Sequence, residues 1–309
     1  MDMRIPTKPL FCAIGLAFTF IAFGAFQNYW GFAGTKYISS AELSVDDTSC
    51  SSTWINILRE GTTSECCNPS SKGHGFPLAL LPSLCWYASW GIVKVLTQLW
   101  AALLLPLLPI MLSMSSTMIS INMAKAETEK RCFAQRQACQ KRRLGMYLLI
   151  IMVRTFVLYL LWDMVERQFF AASDSCWYEA KRGTKGCKDR FDSADHVVLF
   201  LVQYLSILAV EATATAHEMA DQRLVQLLSW SYTVVLGGAS LLAIFGTAAY
   251  FHSVPETVVA VVFSLVVWLP LYTILSGAKV PDYLHVSCFI HLQNMKVAES
   301  PVVRACKNL

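Results

Sequence analysis

Cys187-Lys-Asp-Arg-Phe-Asp-Ser-Ala-Asp-His196-Val-Val-Leu-Phe-Leu-Val-Gln203-Tyr-Leu-Ser-Ile-Leu-Ala-Val-Glu211 is the stretch that decides the fold. A charged run ends in a histidine at the mouth of an apolar span, and Gln203 and Glu211 follow deeper in it. An apolar run of about 20 residues is a candidate transmembrane helix. A histidine at its mouth is wet on one side and fixed to a helix on the other, a setting that suits proton transfer or attack on phosphorus.

The rest of the chain agrees with that solvent. Apolar residues make up 55% of the 309 and charged residues 15%, so a bilayer is the natural environment and a soluble enzyme is a poor fit. The net charge of +4 offers no case for nucleic acid.

Toward the N-terminus, Met1 to Lys8 carries Arg4 and Lys8 and leads into Pro9 to Trp30. A basic flank before an apolar run also fits a signal peptide, but this run is longer than an h-region and ends in Tyr29 and Trp30, so a retained first crossing is expected. Residues 31–76 are polar and read as an extramembrane loop holding Cys50, Cys66 and Cys67. The second crossing is expected at Gly91 to Met114, bent near its far end by Pro106 and Pro109, with Leu78 to Ser89 at the interface. Residues 115–143 read as a loop whose part from Ala124 to Arg143 is strongly basic, and Leu144 to Asp163 as the third crossing, interrupted by Arg154. Beyond the loop from Glu166 to Asp195, the fourth crossing runs from His196 to about Thr215, the fifth from Leu227 to Tyr250 and the sixth from Thr257 to Ser276. Residues 277–309 form a polar tail.

These features predict an all-α, polytopic membrane protein of about six transmembrane helices, with residues 1–309 as one integral membrane domain. An even number of crossings puts both termini on one side. With the termini, the 115–143 loop and the turn at Arg223 together, that side carries 14 Lys and Arg against 9 in the opposite loops, which predicts cytoplasmic termini. Cys176 and Cys187 then lie in the oxidising compartment and are a candidate disulfide, although spacing alone does not fix the connectivity.

The same topology returns the chain to the His196 face at His252. Paired histidines at one depth are candidates for chemistry, while each alone also fits a solvated side chain. Lys181, Arg182, Lys185, Lys188 and Arg190 precede His196 and read either as a solvated or headgroup-binding loop or as a phosphate clamp. Lys94 is placed to snorkel toward water or a bound phosphate. Arg154 needs a partner in the membrane, and Glu211 is the expected one, as a structural pair. Gln203 could reach a lipid ester or a neighbouring helix. His217-Glu218 lacks the second histidine of a zinc-protease helix, and Cys306-Lys-Asn-Leu309 lacks the aliphatic residues of a prenylation signal. His285, Cys288 and His291 fit an amphipathic tail more simply than a metal site. No metal or cofactor is expected.

Cys176, Gly186-Cys187, Phe191-Asp192-Ser193 and His196 before a helix ending in Glu211 resemble the fat-storage-inducing transmembrane family. So do Ala249-Tyr250-Phe251-His252-Ser253 followed by Glu256-Thr257-Val258-Val259, Trp268 and Tyr272, as well as Trp90-Gly91-Ile92-Val93-Lys94 with Trp100, and Arg154-Thr155. The resemblance covers about residues 84–273. It implies a multi-pass protein of the endoplasmic-reticulum membrane, related to lipid phosphate phosphatases, that supports lipid-droplet formation. The implied activity is a fatty acyl-coenzyme A diphosphatase giving acyl 4'-phosphopantetheine and adenosine 3',5'-bisphosphate at a lumenal site. His252 would attack phosphorus or activate water and His196 would protonate the leaving oxygen, or the reverse. Substrate contacts would come from Lys94, Gln203 and the basic loop. Asp195 stands where the family usually has glycine, and Ala212 where a second acidic residue is expected. The alternative is a non-catalytic protein that binds neutral lipid and promotes droplet budding.

Overall fold

The structure, a computed structural model, describes residues 8–31, 37–39, 55–59, 64–67, 91–156, 160–161, 163–165, 168, 194–219 and 221–275. Its principal helices are α1 (Lys8–Gly31), α2 (Gly91–Thr97), α3 (Leu99–Met123), α4 (Glu127–Phe156), α5 (Asp195–Val198, Leu199–Leu205 and Ser206–Glu218 in continuity), α6 (Arg223–Phe251) and α7 (Val254–Leu275). Among the described residues, α1, α3, α5 and α6 are the 4 helices long and apolar enough to cross a membrane. The chain is therefore a helical, multi-pass membrane protein.

Helix α5 is the axis of the bundle. Its apolar window is 100% buried, against 28% for α1 and 39% for α3. Helices α1, α4, α6 and α7 pack around it. Their outward faces keep large apolar side chains exposed, among them Leu148, Leu149 and Met152 on α4 and Val234 and Val235 on α6, where lipid rather than water is the compatible neighbour.

Helix α1 is built into this bundle. A Cβ on Gly24 would lie 2.7 Å from the Phe245 carbonyl oxygen and 2.8 Å from the Ala248 Cβ, so only glycine lets α1 approach α6 this closely. One turn further, buried Asn28 donates to the Ala249 carbonyl at 3.3 Å and Gln27 donates to the Tyr250 hydroxyl at 3.0 Å. Near the other end, the Phe11 ring meets Trp268 of α7 edge-on, with centroids 5.7 Å apart.

Several boundaries differ from expectation. The second crossing is not one helix over Gly91 to Met114. The chain breaks at Gln98, which has an extended ψ of 142°, and the apolar helix runs on to Met123. Pro106 and Pro109 therefore lie in its first half, around a 3₁₀ turn at Leu105–Leu107. Helix α6 begins at Arg223 and α7 at Val254, each a few residues earlier than read from the sequence.

The basic stretch from Ala124 to Arg143 is not a loop. From Glu127 onward it forms the first half of the 30-residue α4, with Glu127 and Glu129 in the first turn, where they suit the helix dipole. The 31–76 segment also departs from the all-α reading, because it carries an antiparallel sheet of β1 (Tyr37–Ser39), β2 (Ile55–Arg59) and β3 (Ser64–Cys67). Tyr37 pairs with Arg59, and Ile57 with Glu65. Strand β1 lies against the end of α6.

Candidate functional site

His196 lies in the first turn of α5, and His252 in the two-residue turn between α6 and α7. The Asp195–Val198 turn packs on both the last turn of α6 and α7. The elements that carry the two histidines therefore pack against each other.

Both elements are locally widened. Leu199–Leu205, directly after the His196 turn, and Thr247–Phe251, directly before His252, are π-helical. Such segments insert an extra residue into the helical repeat, leave backbone groups to be satisfied from outside, and recur at functional sites. At the α6 segment, the Asn28 amide supplies such a bond to the Ala249 carbonyl. In α5, the Ser206 hydroxyl reaches back five residues to the Leu201 carbonyl at 2.8 Å.

The two rings sit in unlike surroundings. The His252 side chain is 8% exposed, with Nδ1 3.7 Å from Glu256 Oε2. The same carboxylate oxygen accepts the Ser253 backbone N–H at 2.8 Å, and the Thr257 hydroxyl donates to the Ser253 carbonyl at 3.1 Å. Ser253-Val-Pro-Glu256 is thus a capping box that starts α7 and holds a carboxylate beside the imidazole. Nε2 lies on the opposite edge of the ring. His196 is 38% exposed, and its Nδ1 is 3.7 Å from Asp195 Oδ1.

Other expected site residues fall differently. Gln203, expected among substrate contacts, is fully buried and donates its amide N–H to the Ala102 carbonyl. Pro106 lacks the N–H that would have served that carbonyl, so Gln203 fills a vacancy in α3. Tyr232 of α6 adds a donor at 2.9 Å to the Leu105 carbonyl, which lacks the donor at Pro109 and takes the Leu108 N–H of the 3₁₀ turn. Tyr204 donates to the Leu96 carbonyl at 2.8 Å, beside the break at Gln98. Lys94 is exposed on α2. Lys181, Arg182, Lys185, Lys188, Arg190, Cys176 and Cys187 lie outside the described residues, as do Leu78 to Ser89 and the tail with His285, Cys288 and His291.

The proposed Arg154–Glu211 pair is replaced by another. Arg143 of α4 is buried between Glu211 and Glu218 of α5. Its Nε and Nη2 donate to Glu211 at 3.1 and 3.3 Å, Nη2 also donates to Glu218 at 2.7 Å, and Nη1 donates to the other Glu218 oxygen. The Tyr147 hydroxyl donates to Glu211 at 2.8 Å. Arg154 lies 11 residues beyond Arg143, about 16 Å along the helix, and cannot reach the same carboxylate. It is buried near Tyr204 instead.

Two signals could have found the Arg143 cluster. Glu211 and Glu218 are seven residues apart, two turns on one face, and Arg143 directly precedes an apolar run. A polar seam extends from the cluster. Ser113 and Thr215 hydroxyls are 3.3 Å apart, Gln140 donates to Thr117 at 3.1 Å, Gln222 donates to Ser120 at 2.8 Å, and Arg136 pairs with Asp221 at 3.3 Å.

Among the described residues, no group of three or more His, Cys, Asp or Glu could hold a metal ion. Comparison of the chain with protein-family models, with curated proteins and with solved structures yields no match. Fold and site together define a helical membrane protein with two histidine-bearing turns at one end of its bundle and a closed ionic cluster along α4 and α5.

Proposed function

We propose that the protein is a membrane-embedded fatty acyl-coenzyme A diphosphatase of the fat-storage-inducing transmembrane type, with His196 and His252 as its catalytic pair. The observation that carries this reading is the meeting of the two histidine-bearing turns, each bordered by a π-helical segment. The unlike surroundings divide the roles. His252, buried and set beside Glu256, has the fixed orientation wanted of a nucleophile or base, with Nε2 directed at phosphorus. His196, more open, is the acid that protonates the leaving phosphate oxygen. One P–O bond of the diphosphate breaks and water supplies the new oxygen, giving acyl 4'-phosphopantetheine and adenosine 3',5'-bisphosphate. The acyl chain would lie among the helices, and Lys181, Arg182, Lys185, Lys188 and Arg190, which precede His196 in the sequence, would hold the nucleotide.

The test is hydrolysis of oleoyl-coenzyme A by the purified protein in detergent, beside His252→Ala, with products identified by mass. Release of adenosine 3',5'-bisphosphate by the wild type alone supports the enzyme. No release from a folded wild type, across pH and acyl chains, sinks it. The second reading, a neutral-lipid-binding protein that promotes droplet budding, draws on the burial of His252, which also suits a structural anchor.

The proposed location is the endoplasmic-reticulum membrane, with the histidine end lumenal and both termini cytoplasmic, on the charge bias. One feature pulls the other way. Cys132 and Cys139 on the basic half of α4 are both disulfide-bonded, and at seven residues, about 10 Å apart on one helix, they cannot bridge each other. Disulfides persist in oxidising compartments. The charge bias acts during insertion, before a disulfide can close, and favours cytoplasmic termini. A membrane-impermeant thiol reagent applied to sealed microsomes after reduction decides on Cys132, the less buried of the two: labelling from outside supports cytoplasmic exposure, and protection that is lost when the membrane is permeabilised overturns it.

A further inference from the structure

Residues 141–143 read Lys-Arg-Arg at the point where α4 turns apolar. A helix turns about 100° per residue, and the structure separates the three side chains. Arg143 goes inward to Glu211 and Glu218, whereas Lys141 and Arg142 stay exposed. On the same outward side, one to three turns further into the apolar half, are the exposed Leu148, Leu149 and Met152. A Cβ added to Gly145, between them, would meet nothing within 4 Å. The face that presents these cations is thus continuous with the face that meets lipid tails, which puts the cations at headgroup depth.

The acidic groups nearby are already engaged. Arg143 takes Glu211 and Glu218, Arg136 takes Asp221, and Arg131 takes Glu127. Glu129 is about 18 Å from Lys141 along the helix. Lys141 and Arg142 therefore hold no acidic partner among the described residues, and their complement is a negative charge in the membrane surface.

We propose that Lys141 and Arg142 form a binding site for the phosphate of an anionic phospholipid headgroup, whose acyl chains lie along the Gly145 to Met152 face of α4. Arginine forks onto two phosphate oxygens and lysine adds a point charge. The inference does not depend on the proposed hydrolase.

The experiment uses the full chain in detergent, titrated with dioctanoyl phosphatidic acid, with dioctanoyl phosphatidylcholine as the neutral reference and native mass spectrometry to count bound lipid. The acidic lipid is expected to bind at least about tenfold more tightly, and K141Q/R142Q to weaken it about thirty-fold. Raising salt from about 0.1 to about 0.5 M should weaken binding to the wild type, since exposed charges are screened. The charge-keeping exchange K141R/R142K should bind like wild type, which keeps the test valid if the neutral variant folds poorly. Equal binding of the two lipids, indifference to salt, or inorganic phosphate binding as tightly as the lipid would overturn the site.

Discussion

The two ends of the bundle handle charge in opposite ways. At the Arg143 end, both carboxylates receive two guanidinium hydrogen bonds each, and a tyrosine hydroxyl adds a fifth contact. At the histidine end, each imidazole stands 3.7 Å from a carboxylate, beyond hydrogen-bond length, and one ring remains partly open. A saturated cluster has no capacity left for a ligand and belongs to stability. The histidine pair instead borders two widened, π-helical segments.

The strongest way to break this contrast is Arg143→Leu. Two buried carboxylates would face each other without a cation, a loss on the order of 3–5 kcal/mol. Thermal denaturation in detergent should show a large drop, and adding Glu211→Gln with Glu218→Gln should recover much of it, because breaking one side of an ion cluster costs more than removing the charges together. Arg143→Leu with wild-type stability would remove the structural reading of this end.

Gly24→Ala tests whether the histidine end depends on the close approach of α1. The new methyl meets backbone rather than a movable side chain, and forced repacking costs about 1–3 kcal/mol. Gly15→Ala on the same helix meets nothing within 4 Å and should be neutral or slightly stabilising. Similar melting temperatures for the two variants would show that α1 does not seat the π-helical end of α6 as described.

Glu256 sharpens the contrast from the other side, since it both caps α7 and flanks His252. Glu256→Ala should lose about 1 kcal/mol, the usual scale for a helix cap. Glu256→Gln keeps an acceptor for the Ser253 N–H and removes only the charge. If the carboxylate serves the histidine, Gln preserves the melting temperature but lowers turnover of oleoyl-coenzyme A, whereas full activity in Gln would reduce Glu256 to a cap.

The membrane class and the helices around His196 and His252 were legible because long apolar runs and basic flanks are one-dimensional signals. The partner of Glu211 was not, because the basic stretch before Leu144 has the composition of a solvated loop, and nothing in one dimension shows that it is helical and turns Arg143 inward while Arg154 lies deeper in the apolar run. The strands between Tyr37 and Cys67 were missed because they are short and sit in a polar stretch with no strong alternation. Gln203 reads as reaching either a lipid ester or a neighbouring helix, and the structure takes the second. Its partner is a carbonyl exposed by a proline on another helix, and only the bundle shows that the two are adjacent.

That last point carries the smallest predicted effect. Tyr232→Phe removes one hydroxyl from the Leu105 carbonyl, which keeps the Leu108 N–H of the 3₁₀ turn. Inside a membrane bundle the loss should be about 0.6 kcal/mol. Gln203→Leu withdraws the side-chain donor from Ala102 across from Pro106 and should cost more, about 1 kcal/mol. Restoring a backbone donor with Pro106→Ala should then make Gln203→Leu nearly silent, because the carbonyl regains its partner within α3. A Gln203→Leu variant that keeps its melting temperature but loses affinity for acyl-coenzyme A would instead return Gln203 to the substrate and reopen the division between the two ends.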